Sequence, residues 1–295
     1  MGLSGITPFT LEASDGVAIA AYRSLPTAEV KGIVQIAHGM SEHFGRYRRL
    51  TDRLNDAGYA VYANDHRGHG ASADAHGLGG FGPGGFQSLV DDMAALTKLA
   101  KRGIPGRPLA LLGHSMGSFA AQLYLLEHAS ELAALVLSGT AALDQLLGSL
   151  LAGGGPVTLE LLNSGFEPGR TSYDWLSRDE DEVDAYIDDP LCGFVLEDRA
   201  MGSVFELGSG ARQDGRLAGV AKDLPIYVIS GECDPVVGPG QAFARTLIES
   251  WKAAGLRNIE HRVYAGGRHE MFNETCREQV ETELIAWLDT VLPRA

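Results

Sequence analysis

The chain has 295 residues, 45% of them hydrophobic and 21% charged, with a formal charge of −14 at pH 7. That balance describes one large globular domain, or a domain carrying an insertion, with ample material for a core. The acidic excess argues against nucleic acid and anionic membrane surfaces as main partners, and three scattered cysteines, Cys192, Cys233 and Cys276, predict a reduced, disulfide-free protein.

Residues 1–8 lack a basic start and an apolar core, so they do not read as a secretory signal. Ile6 breaks the myristoylation pattern. No apolar run reaches membrane-spanning length. A cytoplasmic location is the resulting expectation.

Residues 9–14 and 17–23 flank Asp15-Gly16 and predict an antiparallel hairpin. Residues 30–37 read as a buried strand ending at His38-Gly39-Met40. A helix follows over 47–57, with Leu50 and Leu54 on one face and Gly58 as its stop. Residues 59–63 form the next strand, and 68–85 a glycine-rich loop. Residues 86–101 are helical, because Leu89, Met93, Leu96 and Leu99 share one face.

Residues 108–112 are an apolar strand and 119–126 a helical pattern. Between them stands Gly113-His114-Ser115-Met116-Gly117. Strand, sharp turn and helix are the setting of a G-x-S-x-G nucleophile elbow. Its glycines permit a tight turn, and the first amides of the helix point at whatever the serine attacks.

Residues 132–137 form another buried strand. The strand–helix alternation then stops for eighty-odd residues, too long for a loop in a compact domain. Leu146, Leu147, Leu150 and Leu151, then Leu159, Leu161 and Leu162, predict short amphipathic helices parted by Gly153-Gly154-Gly155-Pro156. An acidic run at 179–189 reads as a solvated helix. Strands resume at 225–229 and 259–264, with helices at 243–254 and 274–292; in the last, Val280, Leu284, Ile285 and Leu288 face inward.

Continuous apolar strands alternating with helices predict an α/β fold: a mostly parallel central sheet with helices on both faces. Residues 1–140 and 223–295 form its core, and 141–222 an inserted helical cap.

A serine hydroxyl is a poor nucleophile until a base takes its proton, and the base needs a group on its other nitrogen. In such a sheet these partners lie past the ends of later strands. The strand at 225–229 leads into Ser230-Gly231-Glu232-Cys233-Asp234-Pro235, and the last strand into Gly266-Gly267-Arg268-His269. Ser115, Asp234 and His269 therefore follow the order Ser, Asp, His that this topology produces. Glu232 and Asp144 compete as the acid. His38, His66, His69 and His114, near strand ends, are expected to bond backbone. Oxyanion donors should be the Met116 amide, which follows the serine, and the Met40 amide, in the loop after the strand at 30–37.

Other patterns carry little. Gly77-Leu78-Gly79-Gly80-Phe81-Gly82 matches G-x-G-x-x-G but follows no strand, so no dinucleotide site is expected. His66 and His69 read as structural rather than as a metal site. The chemistry calls for no metal and no cofactor.

His38-Gly39-Met40-Ser41-Glu42-His43 with Gly45-Arg46-Tyr47, Asp65-His66-Arg67-Gly68-His69-Gly70, the elbow, Gly231–Val236 and Tyr186 with Asp189-Pro190-Leu191 together carry a resemblance. From about residue 10 to 290 the chain resembles the serine α/β-hydrolases, and within them the monoacylglycerol lipase and lysophospholipase group. The resemblance implies a cap over the site, an acyl tunnel and an ester substrate with one fatty chain, and it agrees on Met40 and Met116. Leu143, Leu146 and Leu147 are the side chains expected to line the tunnel; plain packing of cap on body is the alternative. The expected activity is serine carboxylester hydrolysis of small single-chain acyl esters, of the monoacylglycerol lipase type, with lysophospholipase or short-chain carboxylesterase as runner-up and a non-catalytic binding protein as rival. Transient contact of the cap with a lipid or micelle surface is expected too.

Overall fold

A computed structural model describes residues 5–73, 77–152, 159–213 and 215–292. Its strands are β1 (Ile6–Glu12), β2 (Ala18–Ser24), β3 (Gly32–Ala37), β4 (Tyr59–Asn64), β5 (Leu109–His114), β6 (Ala134–Ser138), β7 (Ile226–Gly231) and β8 (Ile259–Tyr264). They form one sheet in the order β1-β2-β4-β3-β5-β6-β7-β8. The β1–β2 hairpin and the β2–β4 pair are antiparallel; every later pair is parallel.

The helices are α1 (Arg48–Asp56), α2 (Gly85–Gly103), α3 (Met116–His128), α4 (Leu143–Leu151), α5 (Glu180–Asp188), α6 (Asp198–Gly210), α7 (Ala242–Ala253) and α8 (Arg277–Val291). Alternate strand residues serve opposite faces: Ile33 and Ala37 of β3 join one apolar cluster, Val34 and Ile36 the other. The first cluster is covered by α2, α3 and α7, the second by α1 and α8. Leu50 and Leu54 of α1 are buried there as the one-face spacing required, each burial stabilising by about 1.5–3 kcal/mol. Strands β3 to β7 are buried along their whole length, which is why they read as continuous apolar runs. At the open edge, β8 exposes part of its length.

Element ends differ from the sequence reading by one to three residues, as fraying termini do. A larger difference is α6. Its glycines, Gly202, Gly208 and Gly210, lower helix propensity and mask the pattern. The spacing of Ala200, Met201, Val204 and Phe205 was the available signal. Between β6 and β7 the chain runs through α4, a 3-10 stretch (Leu159–Phe166), α5 and α6. The Gly153-Gly154-Gly155-Pro156 separator and residues 1–4 lie outside the described residues. No described helix is long and apolar enough to cross a membrane.

Candidate active site

β5 ends at His114, and α3 begins at Met116; Ser115 alone makes the turn, with φ 50° and ψ −121°. A non-glycine residue pays about 1–3 kcal/mol for such a conformation. The Ser115 amide donates to Ser138 O at 2.9 Å, while its carbonyl accepts from the Ser118 and Phe119 amides at 2.8 and 3.2 Å. Those bonds hold the strained residue. Close approach explains the flanking glycines. A β-carbon on Gly117 would lie 2.2 Å from Ala37 O, and one on Gly113 would lie 2.5 Å from Gly117 O.

The imidazole of His269 reaches Asp234 from the loop after β8. Its Nδ1 donates to Asp234, with 2.9 Å to Oδ1 and 3.0 Å to Oδ2. Asp234 Oδ1 also accepts from the Val236 amide at 2.9 Å. Both side chains are buried, and His269 Nε2 has no hydrogen-bond partner. Burial pulls the His269 pKa down, but the Asp234 carboxylate outweighs it, helped by Glu270 and Glu42, and the net shift is upward. The competing acids are engaged elsewhere. Asp144 holds Arg212 through Nε at 2.8 Å, and Glu232 is exposed and accepts from the Gly266 amide at 2.8 Å.

Two cavities meet at Ser115. One, of about 60 Å³, is apolar and includes Met40, Met116, Phe119, Leu143, Leu146, Leu150, Val204 and Phe205 in its wall. Leu147 does not line it: on α4, positions 143, 146 and 150 share the inner stripe, and 147 sits beside that stripe, half-buried. The other cavity, of about 20 Å³, has room for one water-sized group. Its wall carries the polar side chains of Glu42, His114, Tyr186, His269 and Glu270, together with Gly39 and Leu176. Met40, Ser115 and Trp175 belong to both walls. Ser115 and His269 thus face one small space, without a hydrogen bond between them. Catalytic hydrogen bonds commonly close only when substrate is bound. Met40 lines this space and Met116 the apolar cavity that meets it at Ser115, and neither amide donates to another described group.

The four remaining histidines of the strand ends are buried and neutral. Burial lowers His66 and His114 to about 3 and His69 to about 4, and drives His38 down as well. His38 Nδ1 donates to Gly39 O and His69 Nδ1 to Arg67 O, both at 2.8 Å. His66 bonds through its backbone instead, its amide donating to His38 Nε2 at 2.8 Å; its ring nitrogens, like His114 Nδ1, have no partner. The Gly77–Gly82 loop packs on the chain before α6, where Gly79 O accepts from the Glu197 amide at 3.1 Å. Among the described residues, His43, Asp189 and Cys192 bring possible metal-binding atoms within 4.8 Å of one another, but His43 Nε2 is already 2.9 Å from Asp189 Oδ2.

Sequence reasoning missed Trp175. Its ring lies 4.8 Å from that of His269, its carbonyl accepts from the His269 amide at 3.2 Å, and its indole nitrogen is buried without a partner. The segment has no periodic signature, so only the long-range packing reveals it.

A family model described as serine aminopeptidase, S33, matches residues 28–276. The monoacylglycerol lipase of Mycolicibacterium smegmatis is 30% identical over 278 residues, covering 89% of this chain and 90% of that protein. The monoglyceride lipase of Mus musculus is 28% identical over 251 residues, covering 84% of this chain and 78% of that protein. A solved carboxyl esterase from Bacillus coagulans, in complex with glycerol, superposes with a TM-score of 0.85 at 28% identity, covering 97% of this chain and 99% of that one. With most of its length inside the family model and a fold shared end to end with an esterase, the chain belongs to this serine hydrolase family, in the monoacylglycerol lipase group of the α/β-hydrolases, and is a carboxylic ester hydrolase.

Proposed function

We propose that the protein hydrolyses single-chain acyl esters, monoacylglycerols first among them, through Ser115, His269 and Asp234. The observation that carries this reading is the buried His269–Asp234 pair with the free Nε2 in the cavity that Ser115 lines. His269 Nε2 takes the Ser115 proton as Oγ bonds to the ester carbonyl carbon. The Met40 and Met116 amides hold the oxyanion in the tetrahedral intermediate. His269 returns the proton to the leaving alcohol oxygen as the ester C–O bond breaks. Water then enters, loses a proton to His269 and cleaves the acyl-enzyme, restoring Ser115.

The two-compartment site supports a fatty chain entering on the apolar side and the leaving oxygen, then one water, on the other. In this reading residues 141–222 are a cap over a core of 1–140 and 223–295. Leu143 and Leu146 contact the acyl chain. The cap also touches lipid or micelle surfaces. Of the eight exposed large apolar side chains among the described residues, five, Leu151, Leu161, Ile187, Leu191 and Val195, belong to it, while Val17, Leu25 and Val263 lie on the core. Three free cysteines favour a reducing, cytoplasmic setting.

The test has two arms. A fluorophosphonate should label the protein covalently, and Ser115→Ala should abolish both the label and ester turnover. Matched-chain 1-monoacylglycerol, lysophosphatidylcholine and short p-nitrophenyl esters should then be ranked by kcat/KM, with monoacylglycerol first. Labelling that survives the serine change rejects the nucleophile, and a preference for the lysophospholipid rejects the substrate class.

A further inference from the structure

Beside the proposed triad lies a buried charge cluster that the mechanism does not use. Arg46 follows the loop bearing Met40, and its side chain is only 9% exposed. Its Nη2 donates to Glu270 Oε2, and its Nε lies 3.5 Å from Glu42 Oε2. The guanidinium carbon sits 4.8 Å from the ring centroid of Tyr186 on α5. Both carboxylates are buried as well.

Each carboxylate is tied to a different working part. Glu42 Oε1 accepts from the Gly39 amide and from Tyr47 OH, the latter at 2.6 Å, which orients the peptide leading to Met40. Glu270 adjoins His269 in the chain, its amide donates to Leu176 O at 2.8 Å, and Asn273 Nδ2 donates to its Oε2 at 3.0 Å. Two buried carboxylates sharing one cation leave an excess negative charge out of water. For stability alone that is a costly arrangement, which apolar side chains would fill better.

We propose that Arg46 is a positioning residue: shared between Glu42 and Glu270, it locks the loop carrying the Met40 amide to the loop carrying His269 and balances the charge beside the imidazole. This inference rests on the reading of Ser115 and His269 given above. The titratable groups facing His269 are Asp234 after β7, His114 at the end of β5, Glu42 after β3, Tyr186 on α5 and its neighbour Glu270, and Arg46 is the cation that Glu42 and Glu270 share. Glu270 and Glu42 both raise the proton affinity of His269.

The experiment compares Arg46→Met, Arg46→Lys and Glu270→Gln with the parent, well below each melting temperature. Rates are counted per fluorophosphonate-titrated site on a soluble p-nitrophenyl ester. Arg46→Met should lower kcat by about 10²-fold with little change in KM, the cost of a slightly misplaced donor. It should also move the acid limb of kcat/KM to higher pH, because two carboxylates then act on the imidazole unopposed. Glu270→Gln should move that limb the other way. Arg46→Lys should keep the parental limb yet recover only part of kcat, since an ammonium is a point charge and cannot fork between two carboxylates. A lower Tm with kcat and limb unchanged in the variants that fold, or limbs moving in one common direction, overturns the proposal. A parent that resists the fluorophosphonate instead refutes the reading of Ser115, and that is known before any variant is made.

Discussion

His269 Nδ1 lies 2.9 and 3.0 Å from the two oxygens of Asp234, and neither side chain meets solvent. The carboxylate raises the proton affinity of an imidazole that burial alone would lower. The proposed base works in its neutral form, so protonation switches it off. The acid limb of kcat/KM should therefore lie above the ordinary imidazole value of 6.5. Asp234→Asn should cut kcat by about 10⁴-fold, because the wrong tautomer is then favoured. It should also move the acid limb to lower pH, since burial is left without its counterweight. A pH–rate series on both proteins measures each effect.

Ser115 holds φ 50°, which glycine adopts without a β-carbon penalty. Ser115→Gly should abolish turnover and raise stability. Relief of about 1–3 kcal/mol of strain exceeds the roughly 0.5–1 kcal/mol that glycine's extra freedom costs. The expected gain is about 1 kcal/mol in urea unfolding, and a loss of stability would contradict the strain.

Gly117 lies where a β-carbon would come within 2.2 Å of one carbonyl oxygen and 2.4 Å of another, both in backbone. Backbone cannot swing aside as a side chain does. Gly117→Ala should cost about 3 kcal/mol, at the upper end for overpacking, and take activity with it. Denaturant melts and ester assays on the same preparation would check both.

Leu150 lines the apolar cavity from α4 and is only half-buried, so a larger side chain there is tolerated. Leu150→Phe should shorten the space for the acyl chain. Excluding two methylenes at about 0.8 kcal/mol each lowers kcat/KM for the longest accepted ester about 10-fold. Short-chain esters should be unaffected, and a chain-length series would reveal the shift.

Val195 is 84% exposed, beside the glycine-rich loop. If the cap touches lipid there, Val195→Glu should reduce turnover of micellar monoacylglycerol about 10-fold, the equivalent of losing about 1.5 kcal/mol of apolar contact. Turnover of a soluble ester should not change. Equal effects on both substrates would count against surface contact.

Much of this site was legible along the chain. Gly113 to Gly117 announces itself by its flanks, an apolar strand before and a helical stripe after. The strand-end placement of Asp234 and His269 follows from counting strands. Less legible were the segments lacking a period. Trp175 sits in a stretch of turns, α6 is diluted by glycine, and Leu147 shares the composition of its neighbours but not their face.

The sequence by itself determined the order of strands and helices and the position of the sharp serine turn. Those are local properties, set by side-chain period and by which residues tolerate a tight bend. Only the tertiary structure decided that Asp234, and not Glu232 or Asp144, meets the imidazole, and that Arg46 meets Glu270 across 224 residues of chain. Such contacts depend on how distant loops dock on a common sheet edge, and no periodicity along the chain encodes that.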